Sequence, residues 1–297
     1  MQRVSNPLTK PYQTLKLLAS HDLASDATAD ALMSLVSVSL EFLSTKCIPV
    51  PLESHVSHKT YRSYALKKNT SAISRPVNES QFEPDAAIIR KHWSKPEGLS
   101  TSQLARLSYT MGTAYSVASD LFNRNNKKGP ATFFELFVGH TFARALGKNP
   151  VKAATLPIGP GKSVRMTMDF IFDLGLGKTK IHLAVKASTR ERVVQAWAHQ
   201  RLLDAAFGEG TYRAVLVIHS ETKLDMAKLE VVEICVPDQW LAYQTLLSKM
   251  DRIYYLDVPE RYSRLCKEYP IIQLSQFGNF FLEKDYILSP IKKSLST

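Results

Sequence analysis

The sequence predicts an α/β protein, a sheet flanked by helices and preceded by a mainly helical N-terminal region. Three observations predict it. Residues 164–172 and 181–188 each alternate apolar and polar side chains, the period of a strand with one buried face. Tyr212 to Ile218 is almost continuously apolar, as in a strand buried on both faces. Apolar residues recur at helical spacing over about 12–47, 82–93, 100–123 and 132–147.

The 297 residues are 44% hydrophobic and 22% charged, enough for a sizeable core. Lys and Arg outnumber Asp and Glu by 38 to 27, a formal charge of +11 that favours a polyanionic partner through counterion release. Cys47, Cys235 and Cys266 are too few and too scattered for a disulfide framework or a zinc site, which points to a reducing compartment. MQRVSNPLTKPYQ lacks the apolar core of a signal peptide, and the run from Leu32 to Leu43 is broken by serines and Glu41. The expectation is a cytoplasmic protein with no membrane association.

In chain order, Asp26 is a plausible cap for the second of two N-terminal helices, and Pro49 and Pro51 are expected to end it. Residues 54–85 lack a clear period and read as a loop in which Tyr61, Arg62, Tyr64, Lys67, Lys68 and Arg75 interleave basic and aromatic groups. Ser100 to Gln103 is a capping box opening a helix to about Asn123. Asn125 to Pro130 breaks the chain, and Thr132 to Glu135 reads as a further capping box before a helix that Gly147 closes. A short strand over 151–158 follows. Gly161-Lys162-Ser163 looks like the tail of a phosphate-binding loop, but the required earlier glycine is Leu156, and a strand follows where a helix is needed.

The densest chemistry lies between Ser163 and Gln200. Val164, Met166, Met168, Phe170 and Phe172 form one face of a strand, with Asp169 on the other. Gly175 and Gly177 supply a turn, after which Ile181, Leu183 and Val185 oppose Lys180, His182, Ala184, Lys186 and Ser188. With the polar faces aligned, Asp169 and Lys186 converge on the open side of the sheet. Ser188 to Glu191 matches a capping box, so a helix should run from there to about Phe207, with Gly208 as its stop and Gln195 and His199 on one face.

An Asp, a hairpin, a Lys near the end of the next strand and a helix carrying Gln resemble the PD-(D/E)xK nuclease superfamily, and within it a type II restriction endonuclease. The resemblance covers about Thr132 to Val236. It implies a mixed central sheet flanked by helices, with an N-terminal helical extension, and Mg²⁺-dependent hydrolysis of phosphodiester bonds in double-stranded DNA by a homodimer. By position it assigns Asp169, Val185 and the preceding acid Glu135 to the metal, Lys186 to the attacking water, and Gln195 to the helix amide. Glu135 has a competing job as the fourth member of its capping box. Asp169 and Lys186 also fit an ordinary cross-strand ion pair.

The sequence departs from the pattern in two places. Met168 stands where the motif has Pro. Ala184 occupies the position of the second metal-binding carboxylate, on a face whose neighbours are polar. An engineered Glu-to-Ala change, a relocation of the acid to Glu191 or another residue, and a natural loss of activity all account for it. The intact Asp169, Lys186 and helix favour the first.

Around this centre Ser188, Arg190, Arg192 and His199 are expected to contact DNA, as are Lys127, Lys128, Lys67 and Lys68. The chain then divides into a helical region with a basic loop (1–128), a nuclease-like core (129–236) and C-terminal α/β elements that complete the fold (237–297). A repair or junction-resolving nuclease of the same fold and a non-catalytic DNA-binding protein are the alternatives.

Overall fold

The computed structural model describes residues 6–188 and 193–289. The chain divides into two compact units, Met1–Thr141 with Glu221–Ile234, and Phe142–Ser220 with Cys235–Thr297.

The first unit contains α1 (Thr9–His21), α2 (Asp26–Lys46), β1 (Cys47–Ser54), β2 (Tyr61–Leu66), β3 (Asn69–Ile73), β4 (Val77–Asn78), α3 (Ala86–Ser94), α4 (Thr101–Asn123) and most of α5 (Lys128–Leu146). A later segment adds β9 (Thr222–Asp225) and β10 (Glu230–Glu233), giving a sheet in the order β3-β2-β1-β10-β9 with β4 on β2. The α2 cap is Ser25, whose side chain accepts from the Thr28 amide, one residue before the expected Asp26. By length and composition α2 is apolar enough to cross a membrane, yet most of it is buried as a core helix.

Two sequence expectations are corrected here. Pro49 and Pro51 do not end a helix but lie within β1, where residues 47–52 pair only with β2. Their missing N–H groups therefore face an unpaired edge. The expected loop over 54–85 is largely strand. Its period is masked because buried polar residues take part in the sheet: Ser63 Oγ donates to Ser74 O at 2.9 Å and Ser74 Oγ accepts from Tyr64 N at 3.0 Å. Arg75, rather than facing a phosphate, is bound bidentately by Asp120, with both contacts at 2.8 Å.

Helix α4 is almost wholly buried, and its Ser100–Gln103 capping box is formed. Helix α5 begins at Lys128, so Thr132 lies inside it rather than at a cap.

The second unit carries β5 (Val151–Gly159), β6 (Lys162–Phe172), β7 (Lys180–Lys186), α6 (Val194–Phe207), β8 (Tyr212–Ile218), α7 (Pro237–Ala242), β11 (Arg252–Tyr255), α8 (Glu260–Glu268), β12 (Leu274–Gln276) and α9 (Lys284–Leu288). The strand order is β12-β11-β8-β7-β6-β5. Strands β5, β6 and β7 are antiparallel neighbours, whereas β7, β8, β11 and β12 run parallel, so the sheet is mixed. Helix α6 is the crossover between β7 and β8, and Gly208 ends it at φ 90°.

One sheet face packs Ala184, Leu216, Ile218, Ile253 and Tyr255 against Trp197, Trp240 and Tyr262. On this side Gln244 is turned inward, accepting from Trp197 Nε1 at 3.0 Å and donating to Met250 O and Ile271 O. The chain here forms α7 followed by a π-helical turn over Tyr243–Leu247. Elsewhere in the unit Phe142 stacks on Phe280 at 4.1 Å and lies 6.3 Å from Phe172.

Candidate active site

The site is built where β6 loses its regular pairing with β5. Val151 pairs with Ile171 and Ala153 with Thr167, so two steps along β5 span four along β6. The extra residues fall at Met168 to Phe170 and place Asp169 in a bulge, a device that re-aims a side chain. On the other side Phe170 pairs with Leu183, and continuing that register sets Asp169 opposite Ala184.

Asp169 Oδ2 accepts two hydrogen bonds of 2.8 Å, from the backbone N–H of Val185 and from Lys186 Nζ. Its other oxygen takes no hydrogen bond from a described residue. The side chains are 27% exposed for Asp169 and 18% for Lys186, open enough for a charged ligand to reach. Val185 N–H points toward Asp169, while the Lys186 carbonyl accepts from His219 N on the opposite side of β7. Strand alternation therefore turns the Val185 carbonyl to the Asp169 side as well.

The face shared by these residues is not the open side of the sheet. It is covered by α6: His182 is fully buried and Ala184 only 2% exposed. Ala184 packs with Val193, Ala196 and Trp197, so an alanine is at home there, and the reading of it as out of place on a polar face is corrected. Strand β7 is buried on both faces, and its polar residues are accommodated individually. His182 Nδ1 lies 3.0 Å from Gln200 Oε1, and Gln200 Nε2 donates to Asp204 Oδ1 and to Tyr212 O. Because that amide nitrogen is spent on two acceptors, His182 Nδ1 must be the donor to the amide oxygen. Burial, helped by the charges on His199 and Lys186, lowers the His182 pKa to about 4 against the Gln200 hydrogen bond and the Asp169 charge, which raise it.

His199 lies half-buried on α6, its ring 6.2 Å from that of His182. Burial lowers its pKa, the Lys186 charge lowers it further, and the Asp169 charge opposes both. Gln195, one turn earlier, is exposed. Ser188 is half-buried beyond β7, and Arg190, Glu191 and Arg192 lie outside the described residues.

Other expected site residues belong to the first unit. Glu135 sits on α5 with its carboxylate near Tyr12, whose pKa is raised by burial first and then by that charge, against a Thr132 hydrogen bond. Lys127 and Lys128 are exposed at the start of α5. Lys67 Nζ donates to Thr45 O at 2.8 Å, and Lys68 is exposed in the β2–β3 turn.

Sequence reasoning gave Gln200 no role. The signal for it was a polar residue on α6 one position past His199, facing the covered strand.

Among the described residues no three His, Cys, Asp or Glu side chains are grouped as a preformed metal centre. One carboxylate whose second oxygen takes no bond from a described residue, with an adjacent carbonyl, still suits Mg²⁺, which is usually held by one or two carboxylates together with substrate phosphate and water.

No protein-family model and no curated protein matches the chain. Among solved structures, the chain is similar to the type IIP restriction endonuclease Kpn2I, with a TM-score of 0.80 and 24% identity over 95% of this chain and 98% of that one. A second match, the restriction endonuclease PspGI in a complex with substrate DNA, has a TM-score of 0.42 and 15% identity over 63% of this chain and 80% of that one. A mixed sheet with its crossover helix, matched over nearly the full length of both chains, gives this protein a type II restriction endonuclease-like fold.

Proposed function

We propose that the protein is a sequence-specific endonuclease that hydrolyses phosphodiester bonds in double-stranded DNA with Mg²⁺. The observation that carries this reading is the Asp169–Lys186 contact, which lies beside a crossover helix in a restriction endonuclease-like fold and is partly open to solvent. The net charge of +11 supports a polyanionic substrate.

In this reading the second oxygen of Asp169 and the Val185 carbonyl would hold the cation. Bound there, Mg²⁺ neutralises phosphate charge and makes water more acidic. The Val185 amide and Lys186 keep the Asp169 carboxylate aimed. Lys186 Nζ, already donating to Asp169, presents its remaining protons to the scissile phosphate and the attacking water. Water adds to phosphorus, one ester oxygen leaves, and the proton lost by water goes to solvent or to that oxygen. Gln195 and His199 line the α6 side.

The packing of Ala184 under α6 supports a native alanine over an engineered one. The second acid of the pattern is then relocated, with Glu191 the nearest acid in sequence, or dispensed with. A homodimer presenting one site to each strand fits a palindromic target.

The test is incubation of the purified chain with Mg²⁺ and duplex DNA containing every short palindrome. Cleavage at one sequence is expected, and sedimentation should show a dimer. Tight duplex binding with no cleavage in Mg²⁺ or Mn²⁺ would instead establish a non-catalytic DNA-binding protein. Cutting confined to branched DNA would establish a junction-resolving enzyme.

A further inference from the structure

Behind the Asp169–Lys186 pair lies a buried histidine, His182, to which the proposed hydrolysis gives no work. His182 is fully buried, and its Nε2 has no hydrogen-bond partner among the described residues. Its Nδ1 donates to Gln200, whose amide is fixed in turn by Asp204 and Tyr212 O. Asp204 is itself anchored by Ser248 Oγ at 2.7 Å. The Nε2 atom therefore carries a lone pair, held in a set orientation, where a partner is normally required.

This is how a metal-binding histidine is prepared. Such a residue gives its other ring N–H to a carbonyl or carboxylate, which fixes the tautomer and the ring plane. The second ring is His199, with centroids 6.2 Å apart and planes inclined at 52°. Two imidazoles on one ion, each with a metal–nitrogen distance of about 2 Å, have centroids roughly 5–6 Å apart. His199 is only half-buried, so of the two rings it is the one with room to adjust toward a shared centre. Burial lowers the pKa of both rings, which favours the neutral form that a ligand needs.

We infer that His182 Nε2 and His199 form a two-imidazole site for a borderline first-row transition ion such as Co²⁺, Ni²⁺ or Zn²⁺, beside Asp169 and distinct from its oxygen-lined Mg²⁺ position. Imidazole favours these ions, whereas Mg²⁺ favours oxygen. Solvent, or a bound phosphate, fills the remaining positions. The existence of the site does not rest on the nuclease reading, although its place next to Asp169 gives a bound ion access to the same substrate.

The experiment uses the full chain without DNA. Titration with Co²⁺, followed by visible absorption and calorimetry, should give one site per chain. His199→Asn should weaken it at least tenfold, with the fold verified by circular dichroism. Nitrogen-15 spectra of histidine-labelled wild-type chain provide a second readout, independent of any variant: Zn²⁺ should shift the His182 and His199 ring nitrogens, and Mg²⁺ should leave them in place. Co²⁺ affinity within twofold of wild type in a folded His199→Asn chain, or ring nitrogens unmoved by Zn²⁺, overturns the site. Because cleavage is not the readout, an active nuclease without this site and an inert protein with it remain distinguishable.

Discussion

Asp169 receives the Val185 backbone amide and the Lys186 ammonium on the same carboxylate oxygen, each at 2.8 Å. That convergence leaves the second oxygen for a ligand and ties both partners to one strand. The pair is partly exposed, so its contribution to folding is small, about 0–1 kcal/mol. Asp169→Asn and Lys186→Ala should therefore leave thermal unfolding nearly unchanged while lowering DNA cleavage by at least about 100-fold. Melting curves measured beside plasmid cleavage separate the two effects. A variant that melts normally and still cuts at the wild-type rate would remove these residues from catalysis.

Ala184 makes the opposite prediction. Its side chain is packed with Ala196 and Trp197, so Ala184→Glu must bury a carboxylate opposite Asp169 and overfill the space beneath α6. The expected destabilisation is about 2–4 kcal/mol in denaturant unfolding, with no gain in Mg²⁺-dependent cleavage. A stable glutamate variant with raised activity would show that the alanine replaced a functional acid.

Asp251 gives a pH test away from the site. Its Oδ2 accepts from the Ala214 amide at 3.0 Å, yet burial raises its pKa above the usual carboxylate value, with that hydrogen bond and the Arg213 charge opposing the rise. The folded state thus holds this proton more tightly than the unfolded chain. Its contribution to stability is fully present below the unfolded pKa of about 3.9 and is lost as pH rises through the folded pKa. Asp251→Asn keeps an acceptor for the amide but no charge. It should make the protein more stable relative to wild type as pH increases from 4 to 7, measured by urea unfolding at each pH. A difference that stays constant across that range would contradict the shift.

Lys127 and Lys128 are exposed where α5 begins. If they lie against DNA backbone, replacing both with alanine should weaken binding at all sequences alike. The slope of log affinity against log salt should then shrink by about 0.9 for each phosphate that is no longer neutralised. Fluorescence anisotropy at several salt concentrations reads this directly, and an unchanged slope would assign both lysines to solvent.

Local signals were the legible ones. The alternation of 164–172 and 181–186 was enough to set Asp169 and Lys186 on one sheet face, and the Ser100 box and Gly208 marked real helix ends. What lay over that face was not legible. A strand with His182, Ala184 and Lys186 on one side looks solvent-facing until α6 supplies Gln200 and Trp197 to cover it. The bulge at Asp169 left no mark, because it depends on the register with β5 and not on a glycine or proline. Residues 54–85 failed for a related reason: buried serines and an Arg–Asp pair serve as interior there, so hydrophobicity no longer reports burial.

The parallel pairing of Glu53 and Ser54 with Glu230 and Val231 joins two segments of the first unit that are far apart in sequence. During synthesis β1 has no partner on that side until most of the polypeptide has left the ribosome. In the meantime the N–H groups of Glu53 and His55, which donate to Leu229 O and Val231 O in the folded chain, lack those acceptors. Fragments ending before Glu221 lose those acceptors together with β9 and β10, while Pro49 and Pro51 keep the rest of that edge poor in donors, so such a fragment should be less stable than the first unit within the whole chain.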